Sequence, residues 1–320
     1  MKTFYLIICL VCTNLLLLAQ TPQIFNSTNS KLPEDNLWGI TADHKGNIWI
    51  GTAKHGLVKY NGKDFTIYNK DNSPVTGNFI SSLYVDKKDN LWVEFSNPTE
   101  RILKYDGSKW TVFSPDNYMP INKGITRINE GADGKMYFGT SDGVIIYDGS
   151  AWSKLSLPSG PDLQHNVLSF DVSKDGRIAV GCDVNLLLYD GKEWKSLNES
   201  NSDLQLGTVR AVKFMANGEL YIGYGGGFGN GGFSVLKDGK WTHYNKHNSA
   251  LPDQMVRDIK ISDDGAIWMA TNDGVLKIDG DKFTPFKFWP GKYHNVVMGI
   301  AIENGKTIWI ATTTGLVKLN

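Results

Sequence analysis

Hydrophobic residues in this chain fall in short runs, each cut off by a cluster of turn-forming residues. Residues 80–85, 91–95, 102–105 and 110–113 show the pattern. Asp86-Lys87-Lys88-Asp89-Asn90 separates the first two runs and Asp106-Gly107 the last two. The runs are rich in Val, Ile, Tyr, Trp and Phe, which suit a pleated, half-buried surface. An Asn/Asp-Gly pair between such runs predicts a tight hairpin, because glycine accepts a positive φ without steric cost. The same pair recurs at Asn61-Gly62, Asp148-Gly149, Asp190-Gly191, Asp238-Gly239 and Asp279-Gly280. No helical periodicity follows residue 20.

The runs repeat in groups of four. One position per group sets the register: Trp49, Trp92, Tyr137, Ala179 as a degenerate copy, Tyr221, Trp268 and Trp309, at spacings of 43, 45, 42, 42, 47 and 41 residues. A period in the forties with short strands and glycine turns predicts propeller blades. The seventh copy stops after its third strand, which would leave a bare sheet edge. A fourth strand is available at the other end. Residues 23–33 (QIFNSTNSKLP) match residues 242–252 (THYNKHNSALP), which follow from a fourth strand. The expectation is an all-β, seven-bladed β-propeller of four-stranded antiparallel blades over residues 21–320. The blades lie near 37–68, 80–113, 125–155, 167–197, 209–244, 256–286 and 297–320, the last completed by residues 23–27.

The pattern Gly-x-Ile-Trp-x-Gly-Thr-x-x-x-Gly-Leu-x-x-Tyr-Asn-Gly, at residues 46–62, resembles the two-component regulator propeller repeat, and later copies run over 265–280 and 305–319. Copies two, four and five depart from it, with Glu94-Phe95, Gly181-Cys182 and Gly223-Tyr224 in place of Gly-Thr. The resemblance implies the sensing propeller of hybrid two-component systems, often tied to polysaccharide use. Neither a kinase nor a DNA-binding domain accompanies it in this chain.

Residues 1–20 differ from the rest. Lys2 is followed by a short apolar run over 4–19, as in a secretory signal peptide. Cleavage near Ala19-Gln20 would place the protein in the periplasm or at the cell surface. It would leave Cys182 as the single cysteine, so no intramolecular disulfide could form. No other segment is apolar enough to span a membrane. The formal net charge of +0 gives no basic excess for a phosphate backbone, so nucleic acid is not an expected partner.

Candidate site residues are those that break the repeat. Of five arginines, Arg127, Arg210 and Arg257 sit at the starts of inner strands, Arg210 and Arg257 at the same repeat position in adjacent blades. Their forks near the channel mouth would attract a carboxylate, sulfate or phosphate. Asp258 follows Arg257, and the alternative is a set of solvated or internally paired charges filling a wet channel. Of ten tryptophans, eight hold repeated strand positions and are expected in the core; Trp38 and Trp289 do not, and could stack on a sugar ring or another apolar face.

His165 and His294 near the same face keep open a lyase or hydrolase like streptogramin lyase, although no histidine pair has a metal-ligand spacing. The glycine-rich stretch 223–232 lacks the Gly-Lys-Ser/Thr ending of a phosphate loop. No cofactor motif is present. The expected role is an exported binding or interaction module rather than an enzyme, with a glycan, another small molecule or an exported protein as partner. A purely scaffolding role is the remaining reading.

Overall fold

The computed structural model describes residues 21–95, 101–113, 124–158, 166–225, 231–291 and 295–320. The leader read at residues 1–20 lies outside them. The described residues form seven four-stranded antiparallel sheets and no helix, so none is long and apolar enough to cross a membrane. The inner strands, in ring order, are Leu37–Ala42, Ser82–Val85, Ile125–Glu130, Ser169–Val172, Thr208–Phe214, Val256–Ile261 and Val297–Glu303. Each packs beside the next, and the seventh returns to the first, so the blades close a ring around a central channel.

The repeated residues explain why each blade forms. In blade one, Asp43 opens the first turn, and its carboxylate accepts from the backbone N–H groups of Lys45 and Asn47 at 3.0 and 2.8 Å. Its other oxygen accepts from Trp49 Nε1 at 3.0 Å, so one side chain shapes the turn and satisfies the buried indole. Asp86 does the same for Trp92, and Glu303 and Ser262 accept from Trp309 and Trp268. The side chains of Asp43, Asp86, Ser262 and Glu303 at these first turns are therefore structural.

The Gly-Thr pair has two separate jobs. A Cβ on Gly51 would stand 2.2 Å from the Ile80 carbonyl oxygen of the next blade, so the blades could not approach as they do. The neighbouring Thr52 hydroxyl donates to the Gly56 carbonyl at 2.9 Å and closes the loop between strands two and three. Thr140, Thr271 and Thr312 repeat that bond to Gly143, Gly274 and Gly315.

Ring closure follows the sequence match. Gln23–Phe25 pairs antiparallel with Gly315–Leu319, in the register Gln23 to Lys318, Ile24 to Val317 and Phe25 to Leu316. The turn after it is the turn that leaves blade five. Asn29 Nδ2 donates to the Ile24 carbonyl and Ser30 Oγ to Asn26, just as Asn248 donates to His243 and Ser249 to Asn245. Each turn delivers a buried plug, Leu32 at one end and Leu251 at the other.

Two expectations need adjustment. The second-strand tryptophans Trp49, Trp92, Trp268 and Trp309 are buried, but the fourth-strand Trp110, Trp152, Trp194 and Trp241 are only half-buried, because the outer strand has a sheet neighbour on one side alone. The inner strand of blade two is shorter than expected, at Ser82–Val85. Cys182 is fully buried, and burial pushes its thiol up to about 12. It packs as a small apolar residue.

Candidate functional site: the channel mouth

A buried apolar residue stands at or beside the start of each inner strand, as at Leu37, Ile80, Val209, Val256 and Val297. In blades one, three, five, six and seven the register then slips by one residue, a β-bulge. A bulge sets two residues against one partner and re-aims a side chain. The bulge begins at Trp38, Thr126, Arg210, Arg257 and Met298. The residue after it is small in most blades (Gly39, Ser82, Ser169, Ala211, Gly299) but is Arg127 in blade three and Asp258 in blade six.

Below the bulge lies a cavity of about 370 Å³, lined by residues that include Trp38, Arg127, Arg210, Lys213, Asp258 and Lys260. Its lower tier is internally paired. Asp171 is 4% exposed and accepts from Lys213 Nζ at 2.9 Å, Asn129 Nδ2 at 3.2 Å and the Phe214 backbone N–H at 2.9 Å, which joins blades three, four and five. Asp258 accepts from the Ile300 and Ile259 N–H groups at 3.2 and 3.1 Å, with Lys260 Nζ at 3.7 Å.

The upper tier is different. Arg127 crosses the channel: Nη2 donates to the Arg257 carbonyl of blade six at 2.8 Å and Nε to the Leu168 carbonyl of blade four at 3.2 Å. Arg257 Nε donates to Asn272 Oδ1 at 2.9 Å. Arg210 Nε is buried and has no hydrogen-bond partner among the described residues. Arg177 pairs with Asp175 at 3.0 Å, but none of Arg127, Arg210 and Arg257 forms an ion pair with a described carboxylate. Burial first, then the positive charges of Arg210 and Arg127, hold the Arg257 guanidinium below its ordinary range, and Asp253 acts in the opposite sense. The three guanidiniums thus share one electrostatic neighbourhood.

Trp38 stands on the blade-one side of the same mouth. Its ring meets Phe79 edge-to-face at 4.9 Å, and its Nε1 is buried without a partner among the described residues. Phe79 itself is 38% exposed, an apolar edge at the mouth. Trp289 is placed elsewhere. It packs against the core between blades six and seven, and its loop is pinned by Asn295, whose Oδ1 accepts from the Phe288 and Trp289 N–H groups at 2.7 and 2.9 Å. Neither Trp289 nor Arg257 is among the residues that line the described cavity. His165 and His294 lie outside the described residues. Among those described, no group of three or more His, Cys, Asp or Glu is placed to hold a metal ion.

The residues that hold the site were not singled out from sequence: Asn272 beneath Arg257, and Asp171, Lys213 and Asn129 below. A signal existed. The fifth inner-strand residue reads Thr41, Tyr84, Asn129, Asp171, Lys213, Lys260 and Ala301, a mostly polar ring within an otherwise apolar repeat.

Residues 31–54 match the family model described as two component regulator propeller. No curated protein matches the chain. Among solved structures, the fold is similar to the extracellular domain of a hybrid two component system from B. thetaiotaomicron, with 19% identity and a TM-score of 0.77 over 94% of this chain. This chain spans 41% of that one. It is also similar to virginiamycin B lyase from Staphylococcus aureus, with 16% identity and a TM-score of 0.71, covering 93% of this chain and 97% of that one. A third likeness is PorZ of Porphyromonas gingivalis, a surface component of the type-IX secretion system, with 15% identity and a TM-score of 0.63, covering 89% of this chain and 46% of that one. The chain carries the two-component regulator propeller repeat, set in a closed seven-bladed ring.

Proposed function

We propose that the protein is an exported ligand-binding or sensing module whose ligand enters at the channel mouth. The observation that carries this reading is the group of Arg127, Arg210 and Arg257, partly buried and without a described carboxylate partner, across the mouth from the exposed apolar edge of Trp38 and Phe79. Like charges held together out of water are costly unless something neutralises them. A ligand with an acidic group and a flat apolar face would do so, and an acidic glycan has both.

The export half of the reading is supported by the apolar leader at residues 1–20 and by the likeness to an extracellular domain and to a surface component. The protein would then act in the periplasm or at the cell surface, passing occupancy of the site to a partner domain or an exported protein. Asp258 serves the site as a brace, since backbone N–H groups of two blades already occupy it.

The test is calorimetry with acidic and neutral oligosaccharides. Acidic chains should bind the wild type more tightly than neutral chains of equal length, and the Arg210→Ala/Arg257→Ala double variant should lose that preference. Equal binding of both classes, or a preference that survives the double variant, would overturn the glycan reading.

A further inference from the structure

The three arginines are not equivalent, and their hydrogen bonds rank them. A guanidinium recognises a carboxylate, sulfate or phosphate best through two parallel N–H groups on one edge. Arg127 has Nε and Nη2 already committed to carbonyl oxygens of blades four and six. Arg257 has Nε committed to Asn272. Arg210 alone of the three lines the channel cavity with no described hydrogen bond: its Nε is buried against Gly225, which leaves the terminal Nη1/Nη2 edge for the cavity.

We propose that Arg210 anchors a single oxyanion group through its terminal Nη1/Nη2 edge, with Arg257, at the rim outside the cavity lining, as the second donor, and that the group enters end-on. This rests on the reading of the mouth as a ligand site, and adds to it which residue binds and what part of a ligand is read.

Arg127 supplies the end-on geometry. Its side chain spans the channel from blade three to blade six as a crossbar, so a chain cannot thread past it. The terminal acidic group of a ligand can reach Arg210, but an internal acidic group on an extended chain cannot enter as deeply. Arg127 is thus a positioning residue: it holds the Arg257 backbone and closes the cup. Asn272 is another, since it fixes the Arg257 fork. The neighbouring cations Lys213 and Lys260 are neutralised by Asp171 and Asp258, so they do not compete for the anion.

The shared chemistry is an oxyanion, and the arms of the test separate its sources. Acetate, inorganic sulfate and inorganic phosphate are titrated separately at constant ionic strength, following the melting temperature, since a ligand that binds only the folded state raises it. At least one should raise it saturably in the wild type. Arg210→Ala and Arg210→Lys should both weaken that anion by about tenfold or more, because lysine keeps the charge and loses the paired edge. Asn272→Ala should weaken it less, and Arg177→Ala, whose partner is Asp175, should leave it unchanged.

Urea midpoints of the variants show that each is folded. No saturable effect from any of the three anions, or full binding by Arg210→Lys, would overturn the proposal. The outcomes also separate it from the glycan reading. Small-anion binding lost in Arg210→Lys, with no binding of any oligosaccharide, supports the anchor and removes the glycan. Acidic-oligosaccharide binding that is unaffected by Arg210→Lys removes the anchor and keeps the glycan.

Discussion

The walls between the blades and the mouth of the channel follow opposite rules. In the walls, the tryptophans and threonines that the repeat buries on second strands meet acceptors that the repeat also supplies, whereas Trp152 Nε1 and Ser196 Oγ on outer strands are buried without a partner among the described residues. Trp49 Nε1 has Asp43, and the Thr52 hydroxyl has the Gly56 carbonyl. At the mouth, Trp38 Nε1 and Arg210 Nε are buried with no partner among the described residues. Other blades place Ser81, Thr126, Leu168 or Met298 where blades five and six place arginine. The fold therefore does not need arginine there. A buried donor without a partner costs about 1–3 kcal/mol. A residue that the architecture can replace, kept in a costly setting, is better explained by function than by stability.

The largest test of this contrast is at the closure. Deleting residues 21–30 removes the strand paired with Gly315–Leu319 and the turn that seats Leu32. Blade seven would keep a bare edge beside apolar Leu316 and Val317. The truncated protein should lose cooperative thermal unfolding and aggregate, as read by calorimetry and light scattering. An unchanged melting temperature would show that the ring does not depend on this strand, and the wall would no longer be the part of the molecule that carries stability.

Next come two tryptophans that differ in setting. Trp268 sits in the wall, 6% exposed, with Ser262 accepting from its Nε1. Trp268→Ala should cost about 3–5 kcal/mol in urea denaturation, as for other buried aromatics cut to alanine. Trp38→Ala should cost less, about 1–2 kcal/mol, because the lost contact with Phe79 is partly offset by removing an unpartnered buried N–H. Equal costs would place Trp38 with the wall and remove it from the site.

The wall was readable in the sequence because it repeats. Seven copies of one pattern expose the period, and a partial copy at each end exposes the closure. The register followed from residues such as Gly51 and Trp49, whose roles are local: a close approach to the next blade and a bond across one turn. The mouth was only partly readable, because its residues matter by breaking the pattern and by meeting across the ring. Arg210 and Arg257 could be found as departures at one position. The bond from Arg127 to the Arg257 carbonyl joins residues 130 apart in sequence, and no periodicity encodes it. Trp289 misled for the same reason. It also departs from the repeat, but its ring is spent on the core between blades six and seven and its loop on Asn295.

The finest test compares the two tiers of the channel itself. Asp171→Ala would strand three donors from two neighbouring blades: Lys213 Nζ, Asn129 Nδ2 and the Phe214 N–H. It should cost about 1–3 kcal/mol, the ordinary penalty for leaving buried donors without their acceptor. Arg210→Leu strands nothing, since no described group bonds to its Nε. It also removes one positive charge from beside Arg257, whose guanidinium is already held down by that neighbour. Its stability should stay within about 1 kcal/mol of the wild type, with the sign toward stabilisation, because it relieves like-charge repulsion in a setting that salt screens poorly. The measurement is urea denaturation of both variants at low and high sodium chloride. If Arg210→Leu loses as much stability as Asp171→Ala, the upper tier is structural after all, and the division of the channel into a braced floor and an open mouth fails.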